Sequence, residues 1–369
     1  TREDGGDYSR LAGADIRLVH SRMYFVELQA ARSWTDSAGT AQAGTILAAT
    51  WDRTGRAFGF NYSVTAIAPG FRARAGFVNR VGVVNTHVFN RFTVYGRRGA
   101  FVEQASTYVN ASRTFSWDDF ALDRALEGDE SISTNTTLRG GWAVGANVSR
   151  SFYHFDPGLY SGYQVLVDEW RRTMVDFAVP HGLDNLLGGG LSASTPVFRT
   201  FSASLSASAS GAAIFPEAAR GRQRRVSASV NWRPTAQVRV AAQYVRNTID
   251  RARDGSCFSV EDIPRLKVEY QAGRSIFVRF VGQYTARQRE ALRDPYSGRP
   301  ILVGGTLADR SVTNDFRVDW LFSYRPGPGT LIYLGYGSSL TEPEAFAFGS
   351  DLRRTTDGFF LKLSYVLRT

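Results

Sequence analysis

The chain has 369 residues, a formal charge of +10 and 43% hydrophobic residues, with a mean hydropathy of -0.23. It is long enough for one large all-β domain or two ordinary ones, and too polar for a bundle of membrane helices, since no run of about 18 apolar residues occurs. A single cysteine, Cys257, excludes a disulfide within this sequence and a zinc site built on cysteines.

The basic residues are nearly all arginine, with Lys267 and Lys362 the only lysines. They are interleaved with Asp and Glu along the chain, with one short cluster at Arg220, Arg222, Arg224 and Arg225. Such dispersion argues against a nucleic-acid partner, and the arginine excess reads as genome composition or as contacts with anionic lipid headgroups. Aromatic residues make up 13%, which fits the interfacial girdles of a membrane barrel.

In chain order, Ile16 and Leu18 alternate with Asp15 and Arg17. Tyr24, Val26 and Leu28 then alternate with Glu27 and Gln29, which predicts a hairpin turning at Ser21. Strands follow over residues 45–51 and 58–67. After Pro69 and Gly70, a long strand carries Val84, Val88, Phe92 and Val94 on one face and Asn85, His87, Arg91 and Thr93 on the other. Gly96, Arg97, Arg98 and Gly99 turn it into a strand starting near Phe101. Residues 117–131 are acidic and aromatic, with Asp118, Asp119, Asp123, Glu127, Asp129 and Glu130, and read as a loop of solvated charge. Gly140 and Gly141 lead into a strand ending near Phe155. Residues 156–185 lack a clear period and read as a long loop, with residues 164–177 open to a strand or a short amphipathic helix.

The second half alternates more cleanly. Phe201, Ala203, Leu205, Ala207 and Ala209 interleave with serines. Val226, Ala228, Val230 and Trp232 are followed by the turn Arg233, Pro234, Thr235 and by Val238, Val240, Ala242 and Tyr244. Leu266, Val268 and Tyr270 oppose Lys267 and Glu269; Phe316, Val318, Trp320, Phe322 and Tyr324 oppose Asp315, Arg317 and Asp319. At the end, Phe359, Leu361, Leu363, Tyr365 and Leu367 share one face.

Every clear strand is half apolar and half polar. Connections alternate between short ones, at Ser21, Arg53, Gly96, Gly140, Pro196, Pro234, Gly273 and Pro326, and long ones, near Phe71, Asp123, Gly182, Pro216, Ser256, Pro295 and Pro343. This predicts an all-β fold, a transmembrane antiparallel up-and-down β-barrel of about 18 strands (roughly 16–22), with short periplasmic turns and long extracellular loops. The order Thr356, Gly358, Leu361, Leu363, Tyr365 resembles the C-terminal insertion signal of bacterial outer-membrane barrels, so the barrel assembly machinery is an expected partner. The pattern holds roughly seventeen strands, and an even number is the rule for such barrels, so either at least one upstream strand or one further strand within the chain is expected.

The opening Gly5, Gly6, Asp7, Tyr8, Ser9, Arg10, Leu11, Ala12, Gly13, Ala14, Asp15, the segment Arg32, Ser33, Trp34, Thr35, and the closing Tyr324, Arg325, Pro326, Gly327 with residues 359–367 resemble an uncharacterised bacterial family. Its members carry a family-9 carbohydrate-binding-like domain ahead of a large outer-membrane β-barrel. The resemblance implies that residues 1–369 form one barrel domain, with further strands and a β-sandwich upstream.

The four histidines, His20, His87, His154 and His181, lie far apart in sequence. His87 shares a face with Arg91 among abundant serines, but no triad is legible. His154 and Asp156 are two groups, which is too few for a metal site. Gly188, Gly189 and Gly190 fit no phosphate-binding loop. The chain is therefore expected to have no enzymatic activity, cofactor or metal. Candidate lumen-lining residues are Arg17, Arg239, Lys267, Glu269, Arg279, Asp315, Arg317 and Asp319, which form either cross-strand ion pairs or a lining that selects solutes. The expected role is a channel or a plugged translocation barrel in the bacterial outer membrane, in contact with lipopolysaccharide. The alternative is a non-conducting barrel that anchors a carbohydrate-binding domain or a partner protein.

Overall fold

Positive backbone φ angles set the first two turns: Ser21 and Arg22 at 51° and 56°, then Ala38 and Gly39 at 50° and 79°. Two successive left-handed residues match the right-handed twist of the flanking strands, so each turn returns the chain directly along itself. They join β1 (Tyr8–His20) to β2 (Tyr24–Ser37) and β2 to β3 (Thr40–Arg53). The structure, a computed structural model, describes residues 7–74, 76–120, 124–168, 170–327, 329–342 and 351–366. Asp123, Pro343, Leu367 and the opening Gly5 and Gly6 lie outside them.

The chain continues through β4 (Phe58–Ile67), β5 (Val83–Tyr95), β6 (Val102–Ser116), β7 (Ala125–Leu138), β8 (Trp142–His154), β9 (Tyr163–Asp168), β10 (Thr173–Asp176) and β11 (Gly182–Ser194). Then come β12 (Phe201–Ile214), β13 (Ala219–Trp232), β14 (Val238–Arg251), β15 (Cys257–Gln271) and β16 (Ile276–Arg289). The last strands are β17 (Ile301–Val303), β18 (Thr306–Leu307), β19 (Ser311–Gly327), β20 (Thr330–Glu342) and β21 (Arg353–Tyr365). Seventeen of these belong to one sheet and β9, β10, β17 and β18 to a second. All the registered pairings are antiparallel, and no α-helix occurs among the described residues.

Two compact units divide the chain, and β8 and β11 contribute residues to both. In the first unit, β1 to β7 pair in sequence order. One face carries Ile16, Leu28, Leu47, Trp51, Val64, Val88 and Phe92, placed side by side by the register. The other carries Arg17, Glu27, Gln29, Ser63 and His87. In the second unit, β11 to β16 and then β19 to β21 pair in order. Trp232, Val240, Val268, Phe280, Trp320, Tyr336 and Phe359 follow one another across its apolar face. Large apolar side chains on these faces are exposed: Trp51 by 49%, Trp232 by 50%, Leu361 by 72%. The buried apolar residues instead sit mainly at strand ends and in connections, as with Phe71, Val165, Phe177, Leu292, Ile301 and Leu302.

Three expectations need correction. Residues 125–131 are not loop but the start of β7, because Glu127 meets Arg80 of the β4–β5 connection, Glu130 meets Arg113 of β6, and Asp129 stands opposite Ser112. Residues 156–185 hold a 3-10 turn (Pro157–Tyr160), β9, β10 and the start of β11, and residues 164–177 form no helix. Val165 and Gln164 pair with Ile301 and Leu302 of a distant connection, which supplies the missing strand partner. The alternation of short and long connections is also imperfect, since β2 returns through Ala38 and Gly39 alone and β12 through residues 215–218.

Candidate functional site

Period-two geometry places all eight candidate lining residues on the polar faces, opposite the apolar rows. Arg17 stands across from Glu27 and lies over the Phe25 ring at 4.6 Å. The other seven belong to the second unit. Glu269 is its electrostatic centre: Arg239 Nη1 approaches at 3.9 Å, Lys267 Nζ at 3.1 Å, and Arg279 stands opposite it on β16. The Arg279 Nε is buried without a hydrogen-bond partner. One carboxylate thus faces three cations.

The next rungs differ. Gln243, Arg265, Gln283, Arg317 and Ser339 stand side by side across β14, β15, β16, β19 and β20. Arg265 and Arg317 are exposed, and among the described residues neither has an ion-pair partner. Asp315 and Asp319 flank Arg317 on β19, likewise without ion pairs among the described residues. Opposite Asp319 lies Gly337, where a Cβ would come within 2.8 Å of the Asp319 carboxylate, so the glycine leaves that group its space. Ion pairs therefore gather around Glu269, whereas Arg265, Asp315, Arg317 and Asp319 carry none among the described residues.

The first unit holds a feature that strand patterns did not reveal. The connection from β4 to β5 folds over the polar face of β2 and β3. A Cβ on Gly44 of β3 would sit 2.0 Å from the Phe71 nitrogen, and one on Gly70 would sit 2.3 Å from the Ala43 oxygen, so backbone rests on backbone at two glycines. The Arg72 backbone N–H donates to the Ser33 hydroxyl at 2.9 Å, and Ser33 is fully buried beneath it. Farther along, Arg80 reaches Glu127 of β7 at 2.9 Å. The connection carries Arg72, Arg74 and Arg80 around a cavity of about 340 Å³. Gly44 within an otherwise regular strand was the one sequence signal of this contact.

In the second unit, β9, β10, β17 and β18 form a small sheet from two connections. The Arg251–Glu217 pair ties neighbouring connections together. Arg251 Nε and Nη2 donate to the Glu217 carboxylate at 2.9 and 2.6 Å, and Nη2 also donates to the Ala291 carbonyl at 2.8 Å. The Arg293 N–H completes the carboxylate shell at 2.9 Å. Tyr160, stacked on Phe177, donates its hydroxyl to the Phe215 carbonyl at 2.7 Å.

Other candidates are placed as follows. His87 stands between Ser63 and Ser112 on the polar face. His154 contacts the Ala125 carbonyl at 2.9 Å and lies 4.9 Å from the His181 ring, whereas Asp156 accepts the Gly158 N–H and caps the 3-10 turn. No group of three metal-binding side chains occurs among the described residues. Gly188, Gly189 and Gly190 lie in β11 opposite Ser210, Ala209 and Ser208. In β21, Leu361, Leu363 and Tyr365 project on the apolar face, while Gly358 meets Gly337 on the polar one.

No family model and no curated protein matches the sequence. Among solved structures, in-vitro folded OmpT, an outer membrane protein of Vibrio cholerae, is 10% identical, with 85% of this chain and 96% of that chain covered and a TM-score of 0.37. Outer-membrane expressed OmpT of Vibrio cholerae scores 0.29, with 98% of both chains covered. BauA, the ferric preacinetobactin receptor from Acinetobacter baumannii, is 10% identical and scores 0.41 over 95% of this chain and 63% of the receptor. This chain therefore spans 63% of the receptor's length. Scores at this level decide neither the fold nor the activity. The expectation of no enzymatic activity is withdrawn, because a fold does not fix whether the groups it presents bind, pass or transform a molecule.

Proposed function

We propose that the chain is a bacterial outer-membrane β-barrel that passes solutes, with its polar faces lining the lumen and the β4–β5 connection narrowing it. The observation that carries this reading is the segregation of faces. Strand after strand presents exposed Leu, Val, Phe and Trp on one side and charge on the other. Soluble monomers rarely expose contiguous apolar area beyond a few hundred Å², whereas lipid requires it, together with closure of every strand edge. Closure of the strand edges is part of this proposal.

A second reading is favoured by the small sheet of β9, β10, β17 and β18 and by the buried Arg251–Glu217 pair between neighbouring connections. A folded cover of this kind suits a plugged or non-conducting barrel that presents a carbohydrate-binding domain or a partner protein. Planar-bilayer recording on the purified protein separates the two. Stable ohmic steps are expected of a channel, with ion selectivity set by Glu269, Arg265 and Arg317. Silence from protein shown to be folded by heat-modifiable gel migration leaves the anchoring role.

A further inference from the structure

The arginine cluster noted in the sequence is split by the pleat. Arg220, Arg222 and Arg224 fall on the same face of β13 as Val226, Ala228, Val230 and Trp232, while Arg225 falls on the other. The strand is continuous and its registers to β12 and β14 are unbroken, so the apolar row runs straight into three cations. At about 3.3 Å per residue, the three span about 13 Å along the strand. All three are exposed.

The surroundings of this stripe are unusual. Across on β12 stand Ala213, Gly211 and Ala209, side chains too short to fill the space beside the guanidinium groups. On β14, Asp250 pairs with Arg224, and Arg246 on the same face is held by Asp262 at 3.1 Å. Arg222 has no ion-pair partner among the described residues. Arg220 also lines a cavity of about 300 Å³ together with Arg253 and Arg293, beside the already paired Arg251 and Glu217 and the carboxylate of Asp294. The local balance is cationic, with an open apolar shelf alongside.

Resting on the reading of this chain as a membrane barrel, we propose that this stripe binds the phosphate groups of an outer-leaflet glycolipid. On that reading Val226 to Trp232 stand in the hydrocarbon layer, so the next three residues on the same face stand at headgroup depth. Guanidinium groups grip phosphate oxygens in pairs, and the Ala and Gly shelf admits the sugar or the start of an acyl chain. The occupant follows from charge complementarity and from continuity with the apolar face.

The test uses the full chain in micelles with two probes, bisphosphorylated lipid A and the same lipid with both phosphates removed, read by native mass spectrometry. The intact protein retains the bisphosphorylated lipid in preference. Changing Arg220→Gln, Arg222→Gln and Arg224→Gln together weakens it by about a hundredfold. The same change of charge at Arg97, Arg98 and Arg139, in short turns of the first unit, leaves it unaltered. Gel migration checks folding; if the triple variant fails it, Arg222→Gln alone is used, with a loss of about fivefold. Equal retention of both lipids, or undiminished retention by the folded variant, overturns the lipid site while leaving the barrel reading intact. Release of the protein from membranes without detergent overturns both.

Discussion

Arg251 and Glu217, separated by 34 positions in sequence, meet as a buried bidentate pair with side chains 4% and 1% exposed. Burial removes water from both charges, so each depends on the other. Glu217→Ala leaves a guanidinium with no counter-charge and is expected to cost about 3–5 kcal/mol. The double change Glu217→Leu, Arg251→Met costs much less, since neither charge remains. Equilibrium unfolding in denaturant measures the difference, and limited proteolysis in the 252–256 connection reports whether the loss is local.

Gly44 gives a prediction about passage. Valine there brings a Cβ to 2.0 Å from the Phe71 nitrogen, and backbone cannot yield as a side-chain tip can. The β4–β5 connection is therefore lifted from the polar face. Single-channel conductance is expected to rise in Gly44→Val relative to the unaltered chain, with no change in the strand content seen by circular dichroism. Unchanged conductance would mean that this connection does not narrow the path.

Selectivity follows from the count of charges near Glu269. Replacing it by Gln leaves Arg239, Lys267 and Arg279 without a carboxylate, and the reversal potential in a salt gradient should move toward anions. Changing Arg265→Ser and Arg317→Ser should move it toward cations. Rungs lined by one sign of charge favour the opposite ion, so a shift of the same sign in both variants is incompatible with these residues lining the path.

Asp254, in the connection between β14 and β15, accepts the Ser256 hydroxyl at 2.7 Å and the Ser256 N–H at 3.0 Å. These bonds hold its carboxyl well below the usual carboxylate range. A depressed folded pKa means the stabilisation of this turn is present above the ordinary carboxylate pKa and is lost as pH falls toward the lowered value. Ser256→Ala, which removes the hydroxyl and keeps the backbone N–H, is expected to raise the Asp254 titration part of the way back to the usual carboxylate range, as read from carbonyl chemical shifts in NMR.

Much of the sheet was legible because period two is a local property. Val226, Ser227, Ala228 and Ser229 declare their faces without knowledge of any partner, and the polar-face placement of the eight candidates follows in the same way. The small sheet was not legible, since Val165 pairs with Ile301 and no pattern within residues 156–180 specifies so distant an edge. The strand over Glu127, Asp129 and Glu130 was missed for a related reason. Charge that looks solvated in sequence is matched by Arg80 and Arg113, from a connection and from the neighbouring strand. The place of Arg72 over Ser33 depends likewise on a chain reversal that composition does not encode.

The pairing of Val165 with Ile301 also fixes an order of events. β11 to β16 lie between the two segments in the chain, so the entropy of closing a long loop must be met before the first contact forms, and this pairing is expected to form late. Until that moment Ile301 and Leu302, fully or nearly fully covered at the end, are open to solvent and to other chains. Protection of the Ile301 amide from hydrogen exchange during refolding would mark the time at which that exposure ends.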